Sequence, residues 1–291
     1  MKLKLACIVV FITFVFLSVK AEGSYQVPQN NRVTYNLNYD WKFIRQDVAN
    51  AQTLGFNDAS WKTVSLPHTH NDTEYYDFFV AGGSFNSWKG IVWYRKHFKL
   101  DASMTGRKVF VEFEGIRQAG EIYVNGTWVG RHENGVGPCG IDISNYVKFG
   151  TDNNVIAVKV DNNGLYKEVA TGTQYVWNTG AFNPQYGGLV SNARLHVTDK
   201  LYQTLPLYSN MKTLGTYIYA KDINFTTKSA EIFVESEITN ANEANKTIDF
   251  TVVIVNHEGN EVAKKTVTGT TVNAGETKIL TTSLPMTGIK F

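Results

Sequence analysis

Two pairs of side chains in this sequence are of the types that catalysis or metal binding uses. Glu112 and Glu114 stand two residues apart, and hydrolysis of a glycosidic bond employs two carboxyls about 5 to 9 Å from one another. Their surroundings argue against that role. In Lys108-Val109-Phe110-Val111-Glu112-Phe113-Glu114 the residues Val109, Val111 and Phe113 share one face of an alternating strand, and the glutamates share the other, solvated one. His68-Thr69-His70 places two imidazoles on one face of an extended segment, with Asp72 and Glu74 close by. No third ligand follows at a recognisable spacing, and Leu66-Pro67-His68 reads as a strand end entering a structured loop. No metal and no cofactor are expected. Trp88, Trp93, Trp128 and Trp177 carry ring faces that would stack on apolar surfaces such as the C–H face of a sugar. A core role is an equal alternative for each, and Trp177, in a long loop, is the stacking candidate. No Gly-x-Ser-x-Gly elbow or Cys-x-x-Cys pair occurs, which leaves nucleophilic-serine and zinc-ribbon readings without support. Asparagine sequons begin at Asn71, Asn125, Asn224 and Asn245, and matter only in a eukaryotic secretory route.

The elements that would position such residues begin after a leader. Lys2 and Lys4 precede an apolar run from Leu5 to Leu17, then Ser18-Val19-Lys20-Ala21, the pattern of a secretory signal removed after residue 21. The run falls short of the roughly 20 residues needed to cross a membrane, and no later segment is long and apolar enough; no membrane span is expected, and the location is secreted or periplasmic. Cys7 leaves with the signal, so Cys139 stands alone without an intrachain disulfide. The net charge of +2 includes Lys2, Lys4 and Lys20; without them 25 basic residues face 26 acidic ones. That balance argues against a nucleic-acid or anionic-membrane partner.

The remaining chain reads as nearly all β, with short runs of Val, Ile, Tyr, Phe and Trp punctuated by Gly, Asn and Asp. Glu121 to Val124 runs into Asn125-Gly126 and returns as Thr127 to Gly130; Asn-Gly tolerates the positive φ values of a tight hairpin turn. Further strands are predicted at Ile91 to Leu100, Asn154 to Val160 and Ala193 to Thr198. Between Asp161 and Asn192 lies a long stretch rich in Asn, Gly, Thr and Tyr, and loops of that length are usually functional or disordered; Tyr175, Trp177, Phe182 and Tyr186 argue for order. Leu201 to Leu207 reads as a linker. Beyond it Ile232, Val234 and Ile238 share one strand face, Phe250, Val252 and Ile254 another, and His257-Glu258-Gly259-Asn260 turns back into Val262 to Val267. Regular short strands over roughly 90 residues predict a small immunoglobulin-like sandwich.

A set of motifs, in order, then resembles a known family. Trp41-Lys42-Phe43, Phe56-Asn57-Asp58-Ala59-Ser60-Trp61 and Leu66-Pro67-His68 open it. Trp93-Tyr94-Arg95-Lys96-His97-Phe98, Phe113-Glu114-Gly115-Ile116, Tyr123-Val124-Asn125-Gly126, Val129-Gly130-Arg131-His132 and Val158-Lys159-Val160-Asp161-Asn162 continue it. The series resembles glycoside hydrolase family 2, which contains β-galactosidases, β-glucuronidases and β-mannosidases. The resemblance implies a jelly-roll sugar-binding domain (25–199) and an immunoglobulin-like sandwich (202–291), the latter either whole or truncated at its end. In the family a (β/α)8 barrel bearing both catalytic glutamates follows. Such a barrel takes about 250 residues, and none is readable here, so a barrel encoded downstream is the expected partner and the chain alone is expected to be inactive.

The resemblance further implies that the loop from Asp161 to Asn192 reaches toward the terminal sugar, with Asp161 and Asn183 as rim contacts beside Trp177. The expected ligand is a carbohydrate with a terminal β-linked sugar, and the expected function is that of the non-catalytic front part of a secreted, β-galactosidase-like hydrolase. The alternative is a stand-alone carbohydrate-binding or adhesion protein. Two departures from the family stand out: no aromatic lies in Gly137-Pro138-Cys139-Gly140, and Ser191-Asn192 replaces an Arg-Asp pair.

Overall fold

The computed structural model describes residues 24–71, 88–133, 135, 137–163, 165–174 and 186–289. Ten strands build a first sandwich. One sheet has six strands in the order β3 (Lys62–Val64), β2 (Trp41–Ile44), β4 (Ile91–Phe98), β9 (Asn154–Asp161), β6 (Ala119–Val124), β7 (Thr127–His132). The other has four, β1 (Val33–Asn36), β10 (Ala193–Thr198), β5 (Lys108–Phe113), β8 (Cys139–Asp142). All the pairings are antiparallel, and the two sheets form the jelly roll.

Alternation decides which side chains meet between the sheets. Val109, Val111 and Phe113 of β5, Ile156, Val158 and Val160 of β9, and Ile122 and Val124 of β6 converge with Trp41 and Tyr94 in one buried core. Each such side chain contributes about 1.5–3 kcal/mol by leaving water. The predicted hairpin between β6 and β7 turns on Asn125 (φ 51°) and Gly126 (φ 90°), both in the region that a two-residue turn of this hand requires. A smaller cluster, Ala51, Trp61, Trp93 and Ala157, forms on the outer face of the six-stranded sheet, under the segment between β2 and β3.

The second sandwich is built around β13 (Ser229–Asn240). One side of β13 pairs with β11 (Leu201–Gln203) and β12 (Thr216–Asn224), the other with β16 (Thr277–Met286). The hairpin of β14 (Lys246–Val255) and β15 (Glu261–Val272) covers it through Val234, Ile238, Phe250 and Leu280. The segment read as a linker is therefore in part a strand. Its far end is not free either: Leu207 is buried, and a Cβ on Gly140 would lie 2.4 Å from Leu207 Cδ1, so glycine is what lets the two domains close on one another there. Phe110, on the outward face of β5, is covered by Tyr202 at a ring separation of 5.4 Å.

Candidate functional site

The site is set by the end of β9. With Ile156, Val158 and Val160 turned inward, Lys159 and Asp161 must face outward. Asp161 lies between Ile91 of β4 and Ala119 of β6, and its Oδ1 accepts the Asn163 amide at 2.8 Å. Burial pushes its carboxyl above the ordinary aspartate value, more than the Asn163 amide and Lys159 pull it down. Across the sheet, Glu121 is in register with both Lys159 and Arg131.

The pairing of β6 with β7 shifts by one residue between Ile122–Gly130 and Tyr123–Trp128, so Val129 is a bulge. Three residues apart, Trp128 and Arg131 would occupy opposite faces of a regular strand; the extra residue turns both outward. Glu121 then receives both: Arg131 Nε donates to Oε1 at 2.6 Å, and the indole N–H of Trp128 donates to Oε2. Lys159 pairs with Asp47 at 3.0 Å, and Asp47 also accepts the Trp93 indole N–H at 3.0 Å. Beyond β9 the chain returns over this face. The Tyr166 hydroxyl and the Val169 amide (2.8 Å) both donate to Glu133, and burial followed by that carboxylate raises the Tyr166 phenol's pKa. The result is a concavity of about 450 Å³ lined by Ile91, Tyr123, Arg131, Lys159, Asp161 and Tyr166.

Next to it, three backbone segments are laced together at the end of the sandwich. His68 and His70 donate their amides to Leu189 and Gly187 at 2.8 Å each, and Arg117 exchanges both its backbone bonds with Gly188. The approach is so close that a Cβ on Gly187 would lie 2.3 Å from His70 Cε1, and one on Gly188 2.4 Å from the Tyr94 hydroxyl. The histidines have structural partners: His68 Nδ1 bonds the Tyr94 hydroxyl at 2.8 Å, and His70 Nε2 lies 3.4 Å from Asn162 Nδ2. Burial, then the charges of Arg45 and His68, lower the His70 pKa to about 4, so it is neutral at pH 7. Among the described residues no group of three His, Cys, Asp or Glu side chains is placed to hold a metal ion; Asp72 and Glu74 lie outside them.

Of the residues named from sequence, Asp161 faces the concavity, while Trp177 and Asn183 lie outside the described residues. Trp88 is packed between Arg45 (5.0 Å above its ring) and His70, and Trp93 is buried. Trp128 is 52% exposed. Sequence reasoning gave it no preference over the others, although its place beside a hairpin turn marks an edge strand. Glu112 bonds His196 at 2.7 Å, and Glu114 pairs with Arg194 and accepts Asn192 Nδ2 at 2.6 Å and Ser191 Oγ at 3.1 Å. They form a ladder on the outside of the four-stranded sheet. Ser191-Asn192, the departure noted above, thus pins the end of the long loop through Glu114.

Residues 34–183, just over half of the chain, match the model of the glycosyl hydrolases family 2 sugar binding domain. The chain belongs to glycoside hydrolase family 2. A β-glucuronidase of Formosa agariphila is 45% identical over 240 residues, which are 81% of this chain and 24% of that protein. A β-galactosidase of Thermoanaerobacter pseudethanolicus is 39% identical over 130 residues, 45% of this chain and 17% of that protein. Among solved structures, a family 2 β-glucuronidase superposes with a TM-score of 0.82 at 39% identity, covering 91% of this chain and 28% of that one. The chain therefore spans about a quarter of the length of such family 2 enzymes, their N-terminal part.

Proposed function

We propose that this chain is the sugar-holding front part of a longer, exported family 2 enzyme that hydrolyses a terminal β-linked sugar by the retaining two-carboxylate route. Glucuronides and galactosides are the two substrate classes, because those are the sugars named for its relatives. The observation that carries the reading is the arrangement of Asp161: a half-buried carboxylate at the end of β9, lifted by burial and in no ion pair among the described residues, beside laced loops at the end of a sugar-binding domain. Such a group accepts hydrogen bonds from sugar hydroxyls at a preformed rim. Bond cleavage itself belongs to residues elsewhere in the longer protein. The one carboxylate pair singled out from the sequence, Glu112 and Glu114, is engaged by His196, Arg194, Ser191 and Asn192. Export rests on Met1 to Ala21 acting as a cleaved signal.

The test is to assay 4-nitrophenyl β-D-glucuronide and β-D-galactoside with this chain alone and with the product of the uninterrupted coding sequence. The expected result is no turnover by the chain alone and turnover of one substrate by the longer product, with a raised KM in Asp161→Asn. Turnover by the chain alone would overturn the reading. Binding of glycans with no hydrolase in the coding sequence would replace it with the stand-alone binding protein.

A further inference from the structure

We propose that the outer face of the six-stranded sheet extends the sugar site at Asp161 into an open groove that holds a short neutral oligosaccharide, with Trp128 as its stacking platform. This rests on the chain being a carbohydrate-handling protein, but not on the chemistry of any catalytic domain. Two concavities adjoin across this face, and a third opens beyond its β7 edge. One of about 430 Å³ lies beside Asn50 and Trp93, and shares Tyr123 and Lys159 with that at Asp161. The latter shares Arg131 and Val169 with a third, of about 690 Å³, at the junction of the two domains. Crossing β4, β9, β6 and β7 spans three strand spacings, about 14–15 Å, the length of an oligosaccharide of a few residues.

The chemistry of the lining selects the ligand. The two cations among its described lining residues are already neutralised within the face, Arg131 by Glu121 and Lys159 by Asp47, which gives a polyanion little to bind. What it offers instead are hydrogen-bonding groups, the carboxylate of Asp161 and the phenol of Tyr123. Trp128 adds an exposed ring whose orientation is fixed by its bond to Glu121, as a stacking platform requires. Both walls are tied in place. The rim at Tyr166 and Val169 is held by Glu133, and the second domain's turn is held by Asn210 Nδ2 donating to the Arg131 carbonyl at 2.7 Å. A groove ordered in advance loses little entropy when it is filled.

The experiment uses this chain and isothermal titration with three neutral probes, cellotetraose, β-1,4-galactotetraose and laminaritetraose, and with tetragalacturonate as the anionic control. At least one neutral probe should bind, tetragalacturonate should bind more weakly, Trp128→Ala should weaken binding about tenfold and Trp128→Phe should restore most of it. Trp128 is on the surface, so both variants should keep the wild-type circular dichroism spectrum. Lack of binding by all three neutral probes, equal binding in Trp128→Ala, or preference for tetragalacturonate would overturn the proposal. Failure of the hydrolase reading would appear separately, as absent turnover of aryl glycosides by the longer protein.

Discussion

Acidification should loosen the first sandwich through His70. The imidazole is buried between Arg45, Trp88 and Asn162, and its pKa falls from 6.5 to about 4, first because burial disfavours the charged ring and then because Arg45 and His68 repel it. Above pH 6.5 the ring is neutral whether the chain is folded or not, so its contribution to stability is fully present. As the pH falls from 6.5 toward 4 the unfolded chain takes up a proton that the folded one refuses, and stability is lost over that window. At 1.36 kcal/mol per pKa unit, the loss is about 3 kcal/mol, or roughly a hundredfold in the unfolding constant. All six tryptophans lie between Trp41 and Trp177, so their fluorescence reports the first sandwich and not the second. Urea unfolding followed by that signal at pH 7, 6, 5 and 4 should show wild type losing about 3 kcal/mol more than His70→Gln, which has no imidazole to titrate. Parallel pH profiles for the two proteins, or an NMR titration placing the His70 ring near 6.5, would refute the reasoning.

Asp58→Ala should destabilise the first sandwich by about 3–5 kcal/mol. Its carboxylate bonds the fully buried Arg95 at 2.7 Å, and the change leaves that guanidinium with carbonyl partners such as Thr53 alone; chemical denaturation reads the loss. Gly188→Ala should cost about 3 kcal/mol or prevent folding, since φ is 132° and the new methyl group would collide with Tyr94 and the His68 carbonyl. Thermal melts should show it, whereas Gly106→Ala, whose Cβ would meet nothing within 4 Å, should lose only what its positive φ costs. Cys139 is fully buried and its thiol is pushed up to about 12, chiefly by that burial. It should therefore not react with Ellman's reagent at pH 8 until the protein is unfolded; rapid labelling of the native protein would contradict this.

Much of the first sandwich is written locally. The alternation of Val109, Val111 and Phe113, the Asn125-Gly126 turn and the bounds of β10 depend on steric preferences of a few adjacent residues, and each is found where the sequence places it. Asp161 reads from the sequence as the residue that ends a strand and begins a long loop, and it ends β9. Contacts between strands were not legible in the same way. Glu112 and Glu114 read as a solvated face, yet they meet Arg194 and His196, which are near neighbours only because β10 lies beside β5. Leu201 to Leu207 reads as a linker since its strand is three residues long and gains its meaning from β13.

The sequence by itself determined which residues alternate, where the chain turns, the all-β class and the family, because those follow from short-range sterics and from motifs kept in order. The tertiary structure alone decided which outward faces stay open. A one-residue bulge at Val129 brought Trp128 and Arg131 to the same side, Tyr202 covered Phe110, and the return of the chain to Glu133 made a rim over Asp161. Each of these pairs residues remote in sequence or changes a strand's parity, and neither event leaves a signature in a local pattern of apolar and polar residues.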